Sequence, residues 1–197
     1  HLVIMFLSHR LNLSFFGLSI ITLFFVMQIL VRKMIYPAPM VQVDSPAPGD
    51  MRDVLLEIPG NERVHAWYHQ ADSAAPVLLF FHGNGENLQT LWLSGIFQEL
   101  DKLAVNYMAL DYPGYGQSGG MPSESTLLAS ARSAAFWLKK YHPHSPLVLC
   151  GWSLGASVAI LLTADASELV SGLIVLSPWR SLTAVAREHY PDWLVKW

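Results

Sequence analysis

A serine flanked by glycines lies where an apolar run gives way to a helix-like pattern. The segment Gly-Trp-Ser-Leu-Gly carries Ser153 at its centre and joins the apolar run 147–150 to the Ala/Val/Leu pattern of 156–162. Gly151 and Gly155 permit a turn that is too tight for side chains, and its strained backbone exposes the serine hydroxyl. A hydroxyl held in this way can attack a carbonyl carbon as a nucleophile. An ordinary strand-to-helix turn with an incidental serine is the competing interpretation.

A second segment suited to chemistry, His-Gly-Asn-Gly-Glu-Asn at 82–87, follows the apolar run 77–81. A glycine-containing loop at this place lets backbone N–H groups face a bound ligand, as an oxyanion hole requires. Attack by Ser153 would place negative charge on the carbonyl oxygen, and the N–H of Leu154 together with one from this loop would stabilise that charge. The alternative is that Gly85 marks only a flexible turn.

A third segment, Asp-Tyr-Pro-Gly-Tyr-Gly-Gln-Ser-Gly-Gly at 111–120, follows the apolar run 105–110. The three segments, each after an apolar run and in this order, resemble the α/β-hydrolase superfamily, in particular its membrane-anchored serine hydrolases. The resemblance extends from about residue 53 to the C-terminus. It implies a serine hydrolase that cleaves an ester, thioester or amide, and the membrane anchor makes lipid or acylated substrates attractive.

The resemblance also implies roles for individual residues. It implies that Ser153 is the nucleophile and that the backbone N–H groups of Asn84 and Leu154 form the oxyanion hole. The loop 111–120 is implied to support the site rather than to react. The positions expected to support the site are His82, Gly83, Asp111, Gly151 and Gly155.

An α/β fold is required to place these segments together. Beyond an opening hairpin, apolar strands alternate with helices, which predicts a mainly parallel sheet covered by helices on both faces. This is the α/β-hydrolase fold that the resemblance implies, incomplete at the C-terminus. The predicted strands cover 53–58, 64–69, 77–81, 105–110, 147–150 and 172–176, and the predicted helices cover 88–102, 125–141 and 153–164.

The composition of the chain also predicts a membrane-spanning segment. Of the 197 residues, 52% are hydrophobic and 14% charged, and the mean hydropathy is +0.33. Much of this hydrophobic character comes from the segment Leu13–Val31, which carries no charge. As a helix, the segment is long enough to cross the ~30 Å hydrocarbon core of a bilayer. We predict one uncleaved transmembrane helix here, within an N-terminal anchor of residues 1–36, and hence a single-pass membrane protein.

Two other kinds of apolar segment fit this run less well than an anchor. A cleaved signal peptide has an apolar region of about 7 to 15 residues that ends at a small-residue site, whereas this run ends in Arg32 and Lys33. A buried helix of a soluble protein does not suit a segment that is apolar all round. Because Arg10 flanks the other end, the positive-inside rule hardly separates the two orientations, and the side of the domain stays open.

The remaining part of the chain limits the classes of partner and cofactor that we expect. Prolines and Gly49 mark 37–50 as a linker, which leaves 51–197 as a partial hydrolase domain. Beyond residue 36 the chain has 9 basic and 15 acidic side chains, and this negative balance argues against nucleic acid. Cys150 is the only cysteine, which excludes a disulfide within the chain and a cysteine-based zinc site. We expect no metal and no cofactor, and as partners a membrane and a small-molecule or lipid-like acyl substrate.

The acid and histidine of a catalytic triad are not evident. The family order places them on loops after later strands, and the loop 177–181 has no carboxylate. Asp165 lies about 18 Å from Ser153 along the predicted helix. His189 is the only histidine after Ser153, and we interpret it as part of a cap or helix, with Glu188 and Asp192 as weaker candidates still.

The sequence is therefore expected to be a fragment whose triad acid and histidine lie beyond Trp197. Such a fragment should have almost no catalytic turnover, and it should aggregate through the apolar strand 172–176. The alternative function is a non-catalytic α/β-hydrolase-fold protein that binds at a membrane. Dehalogenase or epoxide hydrolase chemistry is not favoured, because those relatives use a carboxylate where this chain has Ser153.

Overall fold

The computed structural model describes residues 2–38, 45–60 and 62–178, with side chains from residue 18 onward. The chain forms two compact units, His1–Pro37 and Ala38–Trp197. The described part of the first unit consists almost entirely of one helix. The second unit contains a mixed sheet with helices packed against it.

Helix α1 spans Leu2–Ile35. Its window Leu18–Ile35 has a mean hydropathy of 1.9 with none of its residues buried, so α1 is long and apolar enough to cross a membrane. The helix extends beyond both ends of the predicted segment Leu13–Val31. Apolar character set the predicted ends, whereas backbone hydrogen bonding continues through Arg32 and Lys33, which are good helix formers and lie favourably near the negative end of the helix dipole.

Six strands form the sheet of the second unit. They are β1 (Arg52–Ile58), β2 (Glu62–His69), β3 (Val77–Phe81), β4 (Asn106–Leu110), β5 (Leu147–Trp152) and β6 (Gly172–Leu176). Their order is β1-β2-β4-β3-β5-β6. β1 and β2 form the predicted antiparallel hairpin, β2 pairs antiparallel with β4, and β4, β3, β5 and β6 run parallel. The prediction of a mainly parallel α/β sheet is confirmed.

The helices of the second unit follow the strands in sequence. They are α2 (Leu88–Leu93), α3 (Ile96–Asp101), α4 (Glu124–Tyr141) and α5 (Leu154–Asp165). The prediction of a single helix over 88–102 was wrong. Gly95 adopts a left-handed conformation with φ 84°, which ends α2 and redirects the chain into α3, as glycine commonly does at helix ends.

The core lies on both faces of the sheet. Every residue of β3 and β4 is buried, as expected for parallel strands that helices cover on both sides. Residues of α2 and α3 join one core cluster with Trp67, Phe80 and Tyr107, while α4 and α5 pack against β3 and β5. Because β3, β4 and β5 run in the same direction, the loops that follow them share one edge of the sheet.

Strand β6 forms an edge of the described sheet. The side chains of Leu173, Ile174 and Leu176 are exposed there by 39%, 48% and 50%. An apolar edge strand can pair with another chain. Aggregation through this strand remains a prediction.

Candidate active site

Ser153 occupies the turn between β5 and α5 with φ 53° and ψ −117°. Such a conformation costs a residue with a Cβ about 1–3 kcal/mol and persists only where its surroundings fix it. The N–H of Ser153 donates to the carbonyl oxygen of Leu176 at 3.0 Å, which ties the turn to β6. The serine side chain caps no N–H of α5 and is half-buried. Its hydroxyl is therefore available at the carboxyl edge of the sheet.

The two glycines of the turn occupy places where a side chain has no room. A Cβ at Gly151 would lie 2.3 Å from the carbonyl oxygen of Gly155. A Cβ at Gly155 would lie 2.0 Å from the carbonyl oxygen of Phe81 and 2.7 Å from that of His82. Gly155 thus allows α5 to approach the end of β3, which brings the loop 82–87 beside Ser153.

The two residues expected to donate to an oxyanion lie on these neighbouring elements. Leu154 is the first residue of α5, where an N–H has no acceptor within the helix and the helix dipole favours negative charge. Asn84 lies in the loop after β3, where Gly85 turns the backbone with φ 77°. The hydroxyl of Tyr115 donates to Oδ1 of Asn84 at 2.7 Å and holds its side chain from the loop 111–120.

His82 is buried and engaged with its own loop. Its Nδ1 lies 2.8 Å from the carbonyl oxygen of Gly83, as a donor in the tautomer that fits. Burial lowers the pKa of His82, although the charge of Asp111 opposes this shift. The ring packs 4.3 Å from that of Tyr112, centroid to centroid, and within the described chain its Nε2 has no hydrogen-bond partner. A neutral imidazole held in this way supports the loop.

Asp111 uses its carboxylate to hold backbone in place. Its Oδ1 accepts from the N–H of Leu88 at 2.8 Å, at the start of α2, and its Oδ2 accepts from the N–H of Gln117 at 3.1 Å. Gly116 lies so close that a Cβ there would meet Oδ2 at 2.0 Å. Asp111 is 2% exposed, and these contacts fit the supporting role predicted for it.

A buried histidine network next to Asp111 was not predicted from the sequence, in which His65 is one residue of the predicted strand 64–69. His65 is 4% exposed. Its Nε2 lies 2.7 Å from Oδ1 of Asp53, and its Nδ1 lies 3.5 Å from Oδ2 of Asp111. Trp67 also donates to the Asp53 carboxylate, at 3.1 Å. The network joins the hairpin β1–β2 to the loop after β4.

The network predicts how stability depends on pH. Burial by itself would lower the pKa of His65, but the hydrogen bonds and charges of Asp111 and Asp53 outweigh it and raise the pKa. The folded protein therefore holds a proton more tightly than the unfolded chain, so the stabilisation is complete below pH ~6.5 and is lost as pH rises through the folded pKa.

We expect His65→Gln to remove this pH dependence. Between pH 6 and 9, urea unfolding of the detergent-solubilised protein should show the wild-type free energy of unfolding falling relative to the variant, by at most about 1.4 kcal/mol per pH unit for one proton. His144→Gln is the control, because His144 is exposed and should leave the wild-type slope unchanged. Parallel pH profiles for wild type and His65→Gln would contradict the assignment.

The remaining candidates for a triad do not meet Ser153 within the described chain. Asp165 ends α5 and pairs with the guanidinium of Arg132. His189, Glu188 and Asp192 lie outside the described residues. His142 is buried, with its Nε2 2.5 Å from the hydroxyl of Tyr68.

Cys150 and the acidic residues offer no metal site in the described part of the chain, which holds no group of three or more His, Cys, Asp or Glu side chains suited to an ion. Cys150 is buried in β5, and burial raises the pKa of its thiol. A thiol of raised pKa is a poor nucleophile at neutral pH. The predicted nucleophile therefore stays Ser153 rather than Cys150.

Comparison with known proteins places this geometry in a family. The family described as "alpha/beta hydrolase fold" matches residues 76–197. An uncharacterized protein of Mycobacterium tuberculosis is 34% identical over 171 residues, which are 83% of this chain and 58% of the relative. Lysophosphatidylserine lipase ABHD12 of Danio rerio is 31% identical over 127 residues, which are 62% of this chain and 33% of that protein.

A solved structure gives the same picture of the fold. Esterase Pf2001 of Pyrococcus furiosus superposes with a TM-score of 0.65 at 23% sequence identity, over 80% of this chain and 66% of that chain. At this identity the likeness concerns the fold. The chain spans 58% of the length of the Mycobacterium tuberculosis relative and 33% of the length of the Danio rerio lipase.

Proposed function

Because this chain belongs to the α/β-hydrolase family, we propose that its complete protein is a serine hydrolase that acts through an acyl-enzyme on Ser153. The observation that carries the proposal is the backbone of Ser153, held at φ 53° between a buried strand and a helix. A serine on such a strained strand-to-helix turn is the arrangement of a nucleophile elbow. Strained residues of this kind cluster at functional sites.

The proposed reaction is acyl transfer in two steps. Oγ of Ser153 attacks the carbonyl carbon of an ester, thioester or amide while a base takes its proton. The negative charge that develops on the carbonyl oxygen is stabilised by the backbone N–H groups of Leu154 and Asn84. The bond to the leaving group then breaks, the leaving group takes the proton, and water hydrolyses the acyl-serine. The family order places the base and its acid on loops after strands later than β6.

A lipid or acylated substrate is the proposed class. One relative is named a lysophosphatidylserine lipase, and α1 is long and apolar enough to cross a membrane. We propose a single-pass membrane protein whose hydrolase domain acts on acyl chains that the bilayer supplies. The side of the membrane on which the domain lies is left open by the flanking charges.

Covalent labelling tests the proposed nucleophile. The complete protein, solubilised in detergent, is incubated with a fluorophosphonate, and the adduct is mapped by mass spectrometry. We expect one adduct, on Ser153, because only a hydroxyl in a working elbow reacts at a useful rate with such a probe. Prior incubation with a lysophospholipid should slow the labelling if lipid acyl groups are the substrates, whereas a short water-soluble ester should compete less well.

The same experiment separates the catalytic proposal from the alternative. A folded complete protein that takes up no fluorophosphonate at Ser153 would contradict the hydrolase proposal and would favour a membrane-bound α/β-hydrolase-fold protein that binds without catalysis. Heat-denatured protein is the control, because a denatured chain retains the hydroxyl but loses the turn. Labelling that survives denaturation would mean that the elbow geometry does not activate Ser153.

A further inference from the structure

One carboxylate oxygen joins the two loops between which the proposed chemistry takes place. Oε2 of Glu86 accepts a hydrogen bond from the N–H of Gly83 at 2.6 Å and another from Nε1 of Trp152 at 2.7 Å. Gly83 lies next to Asn84, and Trp152 lies next to Ser153. Glu86 thereby connects the loop that follows β3 to the turn that follows β5.

We propose that Glu86 is a positioning residue that sets the distance and orientation between the oxyanion loop and the nucleophile. The proposal rests on the proposed hydrolase function. Glu86 acts through Gly83 and Trp152, and its carboxylate does not react. Both donors meet the same oxygen at short distances, 2.6 and 2.7 Å, so one acceptor atom links the two loops.

The packing around this link is close enough to transmit position. A Cβ at Gly83 would lie 2.7 Å from Nε1 and 2.8 Å from Cδ1 of Trp152, so the indole rests directly on the Gly83 backbone. The ring of Phe80 meets the indole edge to face from β3, with centroids 5.2 Å apart. Trp152 is therefore held by Phe80 and Gly83 as well as by the Glu86 carboxylate.

The link also directs one N–H of the loop away from a substrate. The N–H of Gly83 is directed to Glu86, which fits the assignment of the next residue, Asn84, as the loop's oxyanion donor. Catalytic groups must be held within about 0.5 Å of the productive geometry. The loss of one oxyanion donor lowers kcat by about 10²–10³-fold. A loop that is held less firmly should therefore lower kcat by a part of that factor.

The test compares Glu86→Ala with Glu86→Gln in the complete, detergent-solubilised protein. With a short-chain p-nitrophenyl ester, Glu86→Ala should lower kcat by about 10- to 100-fold, while KM stays within about threefold, because positioning acts on the transition state. Glu86→Gln should retain kcat within about threefold, because its amide oxygen can still accept from both donors. The second-order rate of fluorophosphonate labelling at Ser153 should follow kcat.

Trp152→Phe tests the link from its other end. This variant removes the indole donor and retains an aromatic ring against Phe80, so it should also lower kcat with little change in KM. The double variant Glu86→Ala/Trp152→Phe should be no slower than Glu86→Ala alone, because both changes break the same link. Hydrogen exchange of the Gly83 amide should accelerate in Glu86→Ala, a readout that does not need turnover.

Glu99→Ala is the matched control. Glu99 is exposed and pairs with Lys102 at 2.7 Å, so the loss of its carboxylate should change neither kcat nor labelling. The positioning role is overturned if Glu86→Ala labels as fast as wild type, or if Glu86→Gln is as slow as Glu86→Ala. If Glu86→Ala does not fold, Trp152→Phe decides by the same kcat and KM criteria. A wild type that is not labelled at Ser153 would instead overturn the hydrolase proposal, and the catalytic role of Glu86 with it.

Discussion

Replacement of Ser153 by alanine in the complete protein is expected to lower kcat for an activated ester by about 10⁶-fold, or ~8 kcal/mol in activation free energy. The change removes the atom that we propose forms the acyl-enzyme, and the proposed oxyanion donors that remain would supply only a residual acceleration. Fold stability should change little, because the Ser153 side chain caps no N–H of α5. Turnover of the ester, measured alongside thermal unfolding, separates the chemical loss from a structural one.

Ser157→Ala is the matched control for this loss. Ser157 lies about one turn beyond Ser153, within α5, and is also half-buried. Its substitution therefore removes a serine hydroxyl of similar burial without changing the elbow. We expect wild-type turnover from Ser157→Ala. If Ser153→Ala retained more than about one hundredth of the wild-type kcat, the nucleophile would lie elsewhere and the acyl-enzyme proposal would be withdrawn.

The features that could be predicted from the sequence are those that arise from neighbouring residues. Strand β3 was predicted with its observed ends, because the run Val77–Phe81 is continuously apolar and is bounded by Pro76 and His82. The turn at Ser153 was predicted because its glycines lie two residues away on either side. A local pattern of this kind predicts a backbone conformation without any knowledge of long-range contacts.

The helices after the loop 82–87 show where a periodic pattern misleads. The apolar pattern of 88–102 predicted one helix, without a helix end at Ser94-Gly95. A glycine within a helical pattern is tolerated at a cost of ~1 kcal/mol, or it ends the helix. Here the left-handed conformation of Gly95 ended it, and the turn allows Leu91 and Phe97 to bury in the same cluster.

The contacts that the sequence interpretation missed join residues far apart in the chain. His65 meets Asp111 across 46 positions, and Glu86 meets Trp152 across 66. Each partner belongs to a different strand or loop, and only the sheet order β2-β4-β3-β5 brings the two together. Residue types alone do not specify such pairs. The order of strands, which the alternating pattern leaves undetermined, has to be known first.

Gly155→Ala is expected to destabilise the domain by about 3 kcal/mol, the upper part of the range for overpacking a close-packed core. The added Cβ would lie 2.0 Å from the carbonyl oxygen and 2.5 Å from the carbonyl carbon of Phe81. These are backbone atoms at the end of a buried strand, which cannot turn aside as a flexible side chain does. The ~1 kcal/mol by which alanine favours a helix over glycine is too small to offset the clash.

Relief of the clash requires α5 to move away from β3, which separates Ser153 and Leu154 from the loop 82–87. Gly155→Ala should therefore lose fluorophosphonate labelling at temperatures where the variant is still folded, as well as lowering the midpoint of thermal unfolding. Gly172→Ala is the control. A Cβ there would meet only Cγ2 and Cγ1 of Val148, at ordinary contact distances of 3.5 and 3.7 Å, so both readouts should match wild type. Wild-type stability of Gly155→Ala would mean that α5 and β3 are less closely packed than the contact between Gly155 and Phe81 requires.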